Sequence, residues 1–435
     1  MVEIWRGVQT KWSISRPEPR KFGRKLNALY VWVALCVCFV LPFVDPRRPF
    51  RLLHLDLLVL LAFGVSQAVF NGGDLGNAMP LAYPVLAYLL ARMLYAGLRP
   101  RRPSGRLVPL APTGLLVVLL AFLVGFRIVL NVADSGVTDV GYAGVIGADR
   151  IVRGDALYTG HFPDDNPSGD TYGPVNYLAY VPFLGLFGWS GEWDSLPAAH
   201  AASICFDLLT LAGLFLLGRA VRAGPEGGRL GVALAYGWAA YPYSTYALQS
   251  NTNDALLAAL LCFALLGLTS APARGALLAV ASAAKLVPVV LTPLFAVGTG
   301  DRRPRRLLAF AAAFVGVLVL VVGPFVSEVG PAHALERTFS AQLARESPFS
   351  LWSSVPSLEW LQSVMQVATV LLAFLVAAVP ARRDVVQVAA LGAAVLIAFE
   401  LSLTHWFYLY IVWFVPFVLL TLFAAYREPR QAVSP

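Results

Sequence analysis

Apolar residues in this chain come in long runs rather than in alternating or heptad stripes. Runs near residues 26–44, 53–70, 80–97, 108–131, 197–217, 230–248, 253–269, 305–327, 362–380, 385–402 and 406–425 approach or reach the length at which a helix crosses a bilayer, roughly 20 residues for about 30 Å of hydrocarbon. Backbone groups in lipid must be bonded within a helix or a closed barrel, and no ten-residue alternation of the barrel kind is present, so the spans are predicted to be helices. The expected fold class is all-α, a polytopic transmembrane bundle of about 11–13 helices.

Two apolar segments break the pattern. Residues 172–189 are interrupted by Pro174, Pro182 and several glycines, and 275–297 holds Lys285 and Pro288 in its middle. Short cytoplasmic loops collect Lys and Arg, which offers a way to place both. Suppose 132–196 lies wholly outside, with 172–189 along the surface, and 275–297 is a pair of short helices turning near Lys285. Sixteen basic residues, in 98–107, 218–229, 274, 301–306, 382–383 and after 426, then fall inside, and only Arg150, Arg153, Lys285, Arg337 and Arg345 remain outside. The first hundred residues do not fit this count. Three spans before 98–107 put the N-terminus outside, whereas Arg6, Lys11, Arg16, Arg20, Lys21, Arg24 and Lys25 argue for inside. Either one of the three segments fails to cross or the rule is broken there.

Composition agrees with this class: 58% hydrophobic and 13% charged residues, with a mean hydropathy of +0.68, exclude an ordinary soluble domain. The net charge of +8 is mostly loop arginine, which suits anionic membrane lipids and gives no reason to invoke nucleic acid. Cys36, Cys38, Cys205 and Cys262 all lie in apolar runs, so neither a disulfide framework nor a Cys-rich metal site is expected. The basic start followed by 26–44 looks like a signal peptide, but Phe43-Val44-Asp45-Pro46-Arg47 offers no small-residue cleavage site. It is read as a retained helix.

Against this background the segment 132–196 stands apart. It carries nine acids, Asp134, Asp139, Asp149, Asp155, Asp164, Asp165, Asp170, Glu192 and Asp194, and two arginines. Most suit a solvated loop. Asp134 and Asp139 follow a membrane helix by only a few residues, where low dielectric and nearby groups can tune a carboxylate as a base. Lys285 sits in an apolar run, where an ammonium must snorkel, find a partner or hold a ligand; phosphate binding and a structural ion pair are the competing readings. Arg337 and Arg345 offer bidentate geometry for phosphate, against plain solvation or headgroup contact. Arg127, near the outer end of 108–131, reaches a phosphate or snorkels to headgroups. Asp207, inside its helix, suits a structural hydrogen bond, and Asp254 caps a helix start or takes part in the site. His405, beside Trp406, Phe407 and Tyr408, binds sugar or belongs to an interfacial aromatic belt. His161, His200 and His333 lack paired spacing with acids, so no metal is predicted, although a carboxylate-bound divalent ion stays open.

Several motifs in order bring a family into view. Asp139-Val140-Gly141-Tyr142, then Gly154-Asp155-Ala156-Leu157-Tyr158 and Tyr172-Gly173-Pro174, resemble the first external loop of GT-C glycosyltransferases, especially glycosyltransferase family 87 and related actinobacterial mannosyltransferases. Phe206-Asp207-Leu208-Leu209, Asn253-Asp254-Ala255-Leu256 and Ala283-Ala284-Lys285-Leu286-Val287-Pro288 resemble later family segments, and Gln342 to Trp352 resembles the second external loop. His405 to Phe417 looks like the family's Ser-Pro-Gln-Tyr-x-x-Trp-x-x-Pro helix, with Tyr410, Trp413 and Pro416 in register and Thr-His in place of Pro-Gln.

The resemblance covers roughly 108–425. It divides the chain into an N-terminal membrane extension, 1–107, a GT-C catalytic membrane module, 108–327, with the external loop 132–196, and a last part, 328–435, with a second external loop and C-terminal transmembrane helices. It implies an inverting transfer of a sugar, mannose by default, from a polyprenyl-phosphate sugar donor to an external glycolipid or polysaccharide acceptor at the cell membrane. Asp139 is the implied base, and Asp134, Tyr142, Asp254, Lys285, Arg337, Arg345 and His405 are the implied substrate-binding residues. No cofactor is expected beyond the donor. A secondary transporter would need inverted repeats with matching broken helices, which the sequence does not display. A non-catalytic lipid-binding or assembly protein would keep the binding residues without needing a base at Asp139.

Overall fold

A computed structural model describes residues 29–99, 105–340 and 347–427. The regular structure among them is helical, with one isolated bridge between Gly105 and Arg427. Seven of the described helices are long and apolar enough to cross a membrane: Leu52–Asn71, Leu75–Leu98, Thr113–Ala133, Pro197–Val221, Pro304–Val329, Pro356–Ala378 and Val385–Ser402. The shorter apolar helices complete the bundle, and the sequence explains why they are short. The run predicted over 230–248 is split into Gly224–Ala240 and Pro242–Gln249, because proline has no N–H for the carbonyl four residues back. The run over 275–297 turns at Lys285, between Ala271–Ala284 and the short helices Val287–Leu291 and Thr292–Val297.

The split at Pro242 exposes carbonyls that the membrane interior cannot solvate. Arg127 fills the gap: its Nη1 donates to the carbonyls of Trp238 and Ala239 at 3.2 and 2.9 Å and to Ser244 Oγ at 2.9 Å. Its Nη2 meets Asp207 at 2.5 Å, and Trp238 Nε1 donates to the same carboxylate oxygen at 2.8 Å. Arg127 is fully buried and so neither snorkels nor reaches a ligand. One cation thus joins its own helix to three others and satisfies the break between two of them.

Successive spans along the chain run in opposite directions, so the loops sort to two ends. At one end Arg51 Nη2 donates to the Arg106 carbonyl at 2.9 Å, Gln387 Nε2 to Gly97 at 3.0 Å, Arg222 Nη2 to Ala424 at 2.9 Å, and Arg427 pairs with Glu226 at 2.9 Å. The basic loops therefore share this end. The first helix, Leu29–Val40 with its 3-10 continuation Leu41–Phe43, places Phe43 against Tyr236 and Phe423, and Trp32 against Tyr243. Residue 29 accordingly lies toward the opposite end, and all three N-terminal helices run through the bundle. The described part of the first, Leu29–Phe43, is roughly 22 Å long. The cations before it lie outside the described residues.

The acid-rich segment is a folded unit rather than a solvated loop. It has its own apolar core, including Tyr142, Ile146, Tyr158, Phe162, Tyr177 and Tyr180. Its main helix, Asp139–Arg153, is amphipathic and carries Gly141, Gly144 and Gly147 at a spacing of three on one face. A Cβ at Gly144 would come within 2.5 Å of the Tyr180 ring, and one at Gly147 within 2.1 Å of the Tyr177 ring. The missing side chains are what let two aromatic rings pack on the helix backbone.

Candidate functional site

The folded unit sits on the helix ends through backbone contacts. Gly136 N–H donates to the Gln249 carbonyl at 3.3 Å, Thr138 N–H to Ser250 at 3.1 Å, and Gly173 N–H to Ala284 at 3.2 Å. Asn253 Nδ2 donates to Asn176 Oδ1 at 2.8 Å. Residues 249–253 and 284 directly precede Asp254 and Lys285, so the unit covers the place where those two side chains meet.

That meeting is the centre of the site. Lys285 Nζ lies 2.6 Å from Asp254 Oδ1 and 3.1 Å from Asn253 Oδ1. Trp413 Nε1 donates to the same Asp254 oxygen at 2.7 Å. The ammonium is framed by the rings of Trp413, Tyr410 and Tyr172, with centroids at 4.7, 5.6 and 5.7 Å, distances at which aromatic faces attract a cation. Tyr410 and Trp413 stack at 4.0 Å. Asp254 is buried, while the Lys285 side chain keeps 14% exposure. Two of the three ammonium donors have partners in Asp254 and Asn253, which leaves capacity for one further acceptor.

His405 belongs to the edge of this cluster. Its ring centroid is 6.0 Å from that of Tyr410, and its Nδ1 is 2.6 Å from Ser347 Oγ. Asp139 lies at the exposed start of its helix, one residue after the Thr138 contact to Ser250; its carbonyl accepts from Asn166 Nδ2 at 2.7 Å. Asp134 ends helix Thr113–Ala133, and its Oδ2 is buried with no hydrogen-bond partner among the described residues. The two candidate carboxylates therefore differ in kind, one open to an approaching molecule and one held against protein.

Tyr142 and Arg337 lie in the folded unit's own fabric. Tyr142 is buried, stacked on Trp193 at 4.9 Å and edge-on to Trp189 at 6.0 Å. Burial, with the charges of Asp165, Asp194 and Glu192, pushes its hydroxyl up to about 12. Arg337 grips buried Asp170, with Nε to Oδ2 at 2.9 Å and Nη2 to Oδ1 at 2.5 Å; that hydrogen bonding raises its pKa above the ordinary arginine value. This bidentate pair ties the segment after Pro304–Val329 to the unit. Arg345 lies outside the described residues. Among the described residues, no three His, Cys, Asp or Glu side chains come together in a metal-binding group.

Sequence reasoning passed over Glu400. It is fully buried at the site end of its helix, with one carboxylate oxygen accepting from Trp406 Nε1 at 2.9 Å and the other without a partner among the described residues. A lone acid inside an apolar span was the available signal. Trp413 and Tyr410 were noted only as motif positions, because their convergence on Lys285 depends on how two distant helices pack.

Fold and site together define a polytopic helical membrane protein whose folded loop unit covers a buried carboxylate–ammonium centre. The model of glycosyltransferase family 87 matches residues 171–403, more than half of the 435-residue chain, and the chain belongs to that family. Among solved structures it is similar to ArnT from Cupriavidus metallidurans bound to undecaprenyl phosphate, with a TM-score of 0.51 and 19% identity over 72% of this chain and 60% of that one. It is also similar to the apo state of the same protein, with a TM-score of 0.48 and 18% identity over 71% of this chain and 59% of that one. The chain thus spans about 60% of the length of ArnT. The likeness is one of fold, which is of the GT-C type. No curated protein matches the chain.

Proposed function

We propose that this protein transfers a sugar from a polyprenyl-phosphate donor to a glycolipid or polysaccharide acceptor at the external face of the cell membrane. The observation that carries the reading is Lys285: an ammonium held at a helix turn, framed by three rings, with donor capacity left for a phosphate oxygen. Family membership supplies the reaction class, and ArnT, which is similar in fold, binds undecaprenyl phosphate. The external placement is supported by the gathering of basic loops at the end away from the site.

In the proposed reaction the donor's apolar tail stays in the bilayer and its phosphate approaches Lys285. Asp139 takes the proton from the acceptor hydroxyl as that oxygen attacks the anomeric carbon. The bond from that carbon to the phosphate oxygen breaks on the opposite side, its electron pair leaving with the phosphate, so the configuration inverts. Lys285 offsets the charge that grows on the leaving phosphate, help that is greatest in the transition state. Asp254 and Trp413 hold the ammonium's position, and His405 with Tyr410 offers a polar and an aromatic surface for the sugar. Mannose is the default sugar on the strength of the resemblance.

The test is transfer itself. Purified protein in lipid is given radiolabelled polyprenyl-phosphate mannose, glucose or arabinose with a mixed glycolipid acceptor extract. Labelled acceptor from at least one donor is expected. No transfer from any of them would overturn the reading in favour of a binding or transport role.

A further inference from the structure

At the end of the bundle away from the site, two guanidinium groups meet with no ion-paired carboxylate among the described residues. Arg302 donates to the carbonyls of Ala377, at 3.3 Å, and Ala378. Arg383 donates to those of Val376 and, at 2.8 Å, Ala377. Both cations therefore reach the Ala377 carbonyl at the C-terminus of one helix. Their loops are tied to each other, Arg383 N–H donating to the Thr299 carbonyl at 3.3 Å. The acids nearby are occupied: Asp301 lies 3.9 Å from Arg303 and 3.6 Å from Arg306, and Asp384 caps its own helix by accepting from Gln387 N–H at 2.8 Å. A helix C-terminus carries only about half a negative charge, which leaves this pair with an unbalanced positive charge. Arg383 is buried, and its Nε has no hydrogen-bond partner among the described residues.

An apolar groove of about 400 Å³ lies one turn before that helix end. It runs between the short helices 287–297 and helix 359–378, lined by Val289, Ala296, Val370, Ala373 and Phe374 among others. Ala373 is one turn before Val376, and the Ala296 carbonyl accepts from Arg274 Nη2 at 2.9 Å. Val370 and Phe374 expose 54% and 63% of their surface, so the groove opens sideways. A cationic pair one turn from an apolar, sideways-open groove matches a phosphate headgroup joined to an acyl chain.

We propose that this corner binds an anionic phospholipid, its phosphate on Arg302 and Arg383 and one acyl chain in the groove. The phosphate position is separate from Lys285, which lies at the other end of the short helices 287–297 that line the groove.

The test follows thermal unfolding of the purified protein in neutral detergent during titration with phosphatidylglycerol, phosphatidylcholine of the same chains, or inorganic phosphate. Phosphatidylglycerol is expected to raise the Tm of the wild type most, with little effect from inorganic phosphate. Arg302→Gln, at an exposed position, is expected to weaken the phosphatidylglycerol response about fivefold, the loss of one basic contact to an anionic surface. Val370→Phe, which narrows the groove from outside, is expected to weaken it too. Arg219→Gln, on a different helix, is expected to leave it unchanged. An equal response to phosphatidylcholine, the whole response from inorganic phosphate, or equal losses in Arg302→Gln and Arg219→Gln would each overturn the proposal. So would a Val370→Phe protein that keeps its phosphatidylglycerol response but shows a raised donor KM, which would give the groove to the donor's chain.

Discussion

Lys285 combines features that pull against each other: a charge in an apolar run, a carboxylate 2.6 Å away, and room for one more acceptor. Its isolation in the sequence made it legible as a site candidate, while the identity of its partners was not, because Asp254 and Trp413 arrive from other helices. Replacing it with alanine is expected to weaken polyprenyl monophosphate binding about tenfold or more, the loss of one charge-assisted hydrogen bond. Arginine at this position is expected to restore part of the affinity, as read by competition binding in nanodiscs. Asp254→Asn removes the anion while keeping the residue's size, and should leave binding nearer to wild type than Lys285→Ala does. The glycines of the folded unit are equally sensitive single positions. Gly147→Ala would put a Cβ 2.1 Å from the Tyr177 ring, and overpacking of this kind costs about 1–3 kcal/mol. A lower Tm with faster proteolysis within 134–196 is the expected outcome.

At the scale of elements, the runs of apolar residues announced most of the helices, and Pro174, Pro182 and Pro288 marked two interrupted segments, whereas the break at Pro242 inside the run 230–248 went unread. The segment 132–196 was legible as a place for chemistry and not as a folded unit. Glycine disfavours an isolated helix, so Asp139–Arg153 reads as loop until its glycine face is seen packed against Tyr177 and Tyr180. Arg127 was misread for a related reason: the carbonyls that hold it are freed by Pro242, more than a hundred positions away. That linkage makes the Arg127–Asp207 pair a joint between helices. Removing one member of a buried pair strands the other, at a cost of about 3–5 kcal/mol. Asp207→Ala is therefore expected to lower the Tm sharply in a thermal scan. Replacing both residues by leucine is expected to cost less than the two single changes together.

At the scale of the whole molecule, one continuous apolar core contains residues of the first helices, such as Leu35, Leu57 and Leu86, together with Leu391 and Phe423 near the other end of the chain. The charge asymmetry of the loops was readable from the sequence, and the structure groups the basic loops at one end and the Asp254–Lys285 centre at the other. If the site end faces outward, cysteine placed at Asp164 should react with a membrane-impermeant maleimide in intact cells, and cysteine placed at Arg305 only after permeabilisation. The reverse pattern would invert the proposed orientation. The proposed chemistry turns on a carboxylate in the covering unit acting on an acceptor above a phosphate held at Lys285. The most direct test compares wild type with Asp139→Asn in the same lipid for two readouts, donor binding and sugar transfer. With Asp139 as the base, donor binding stays unchanged and transfer is lost. Equal transfer by both proteins would contradict the assignment of the base and move it to Asp134.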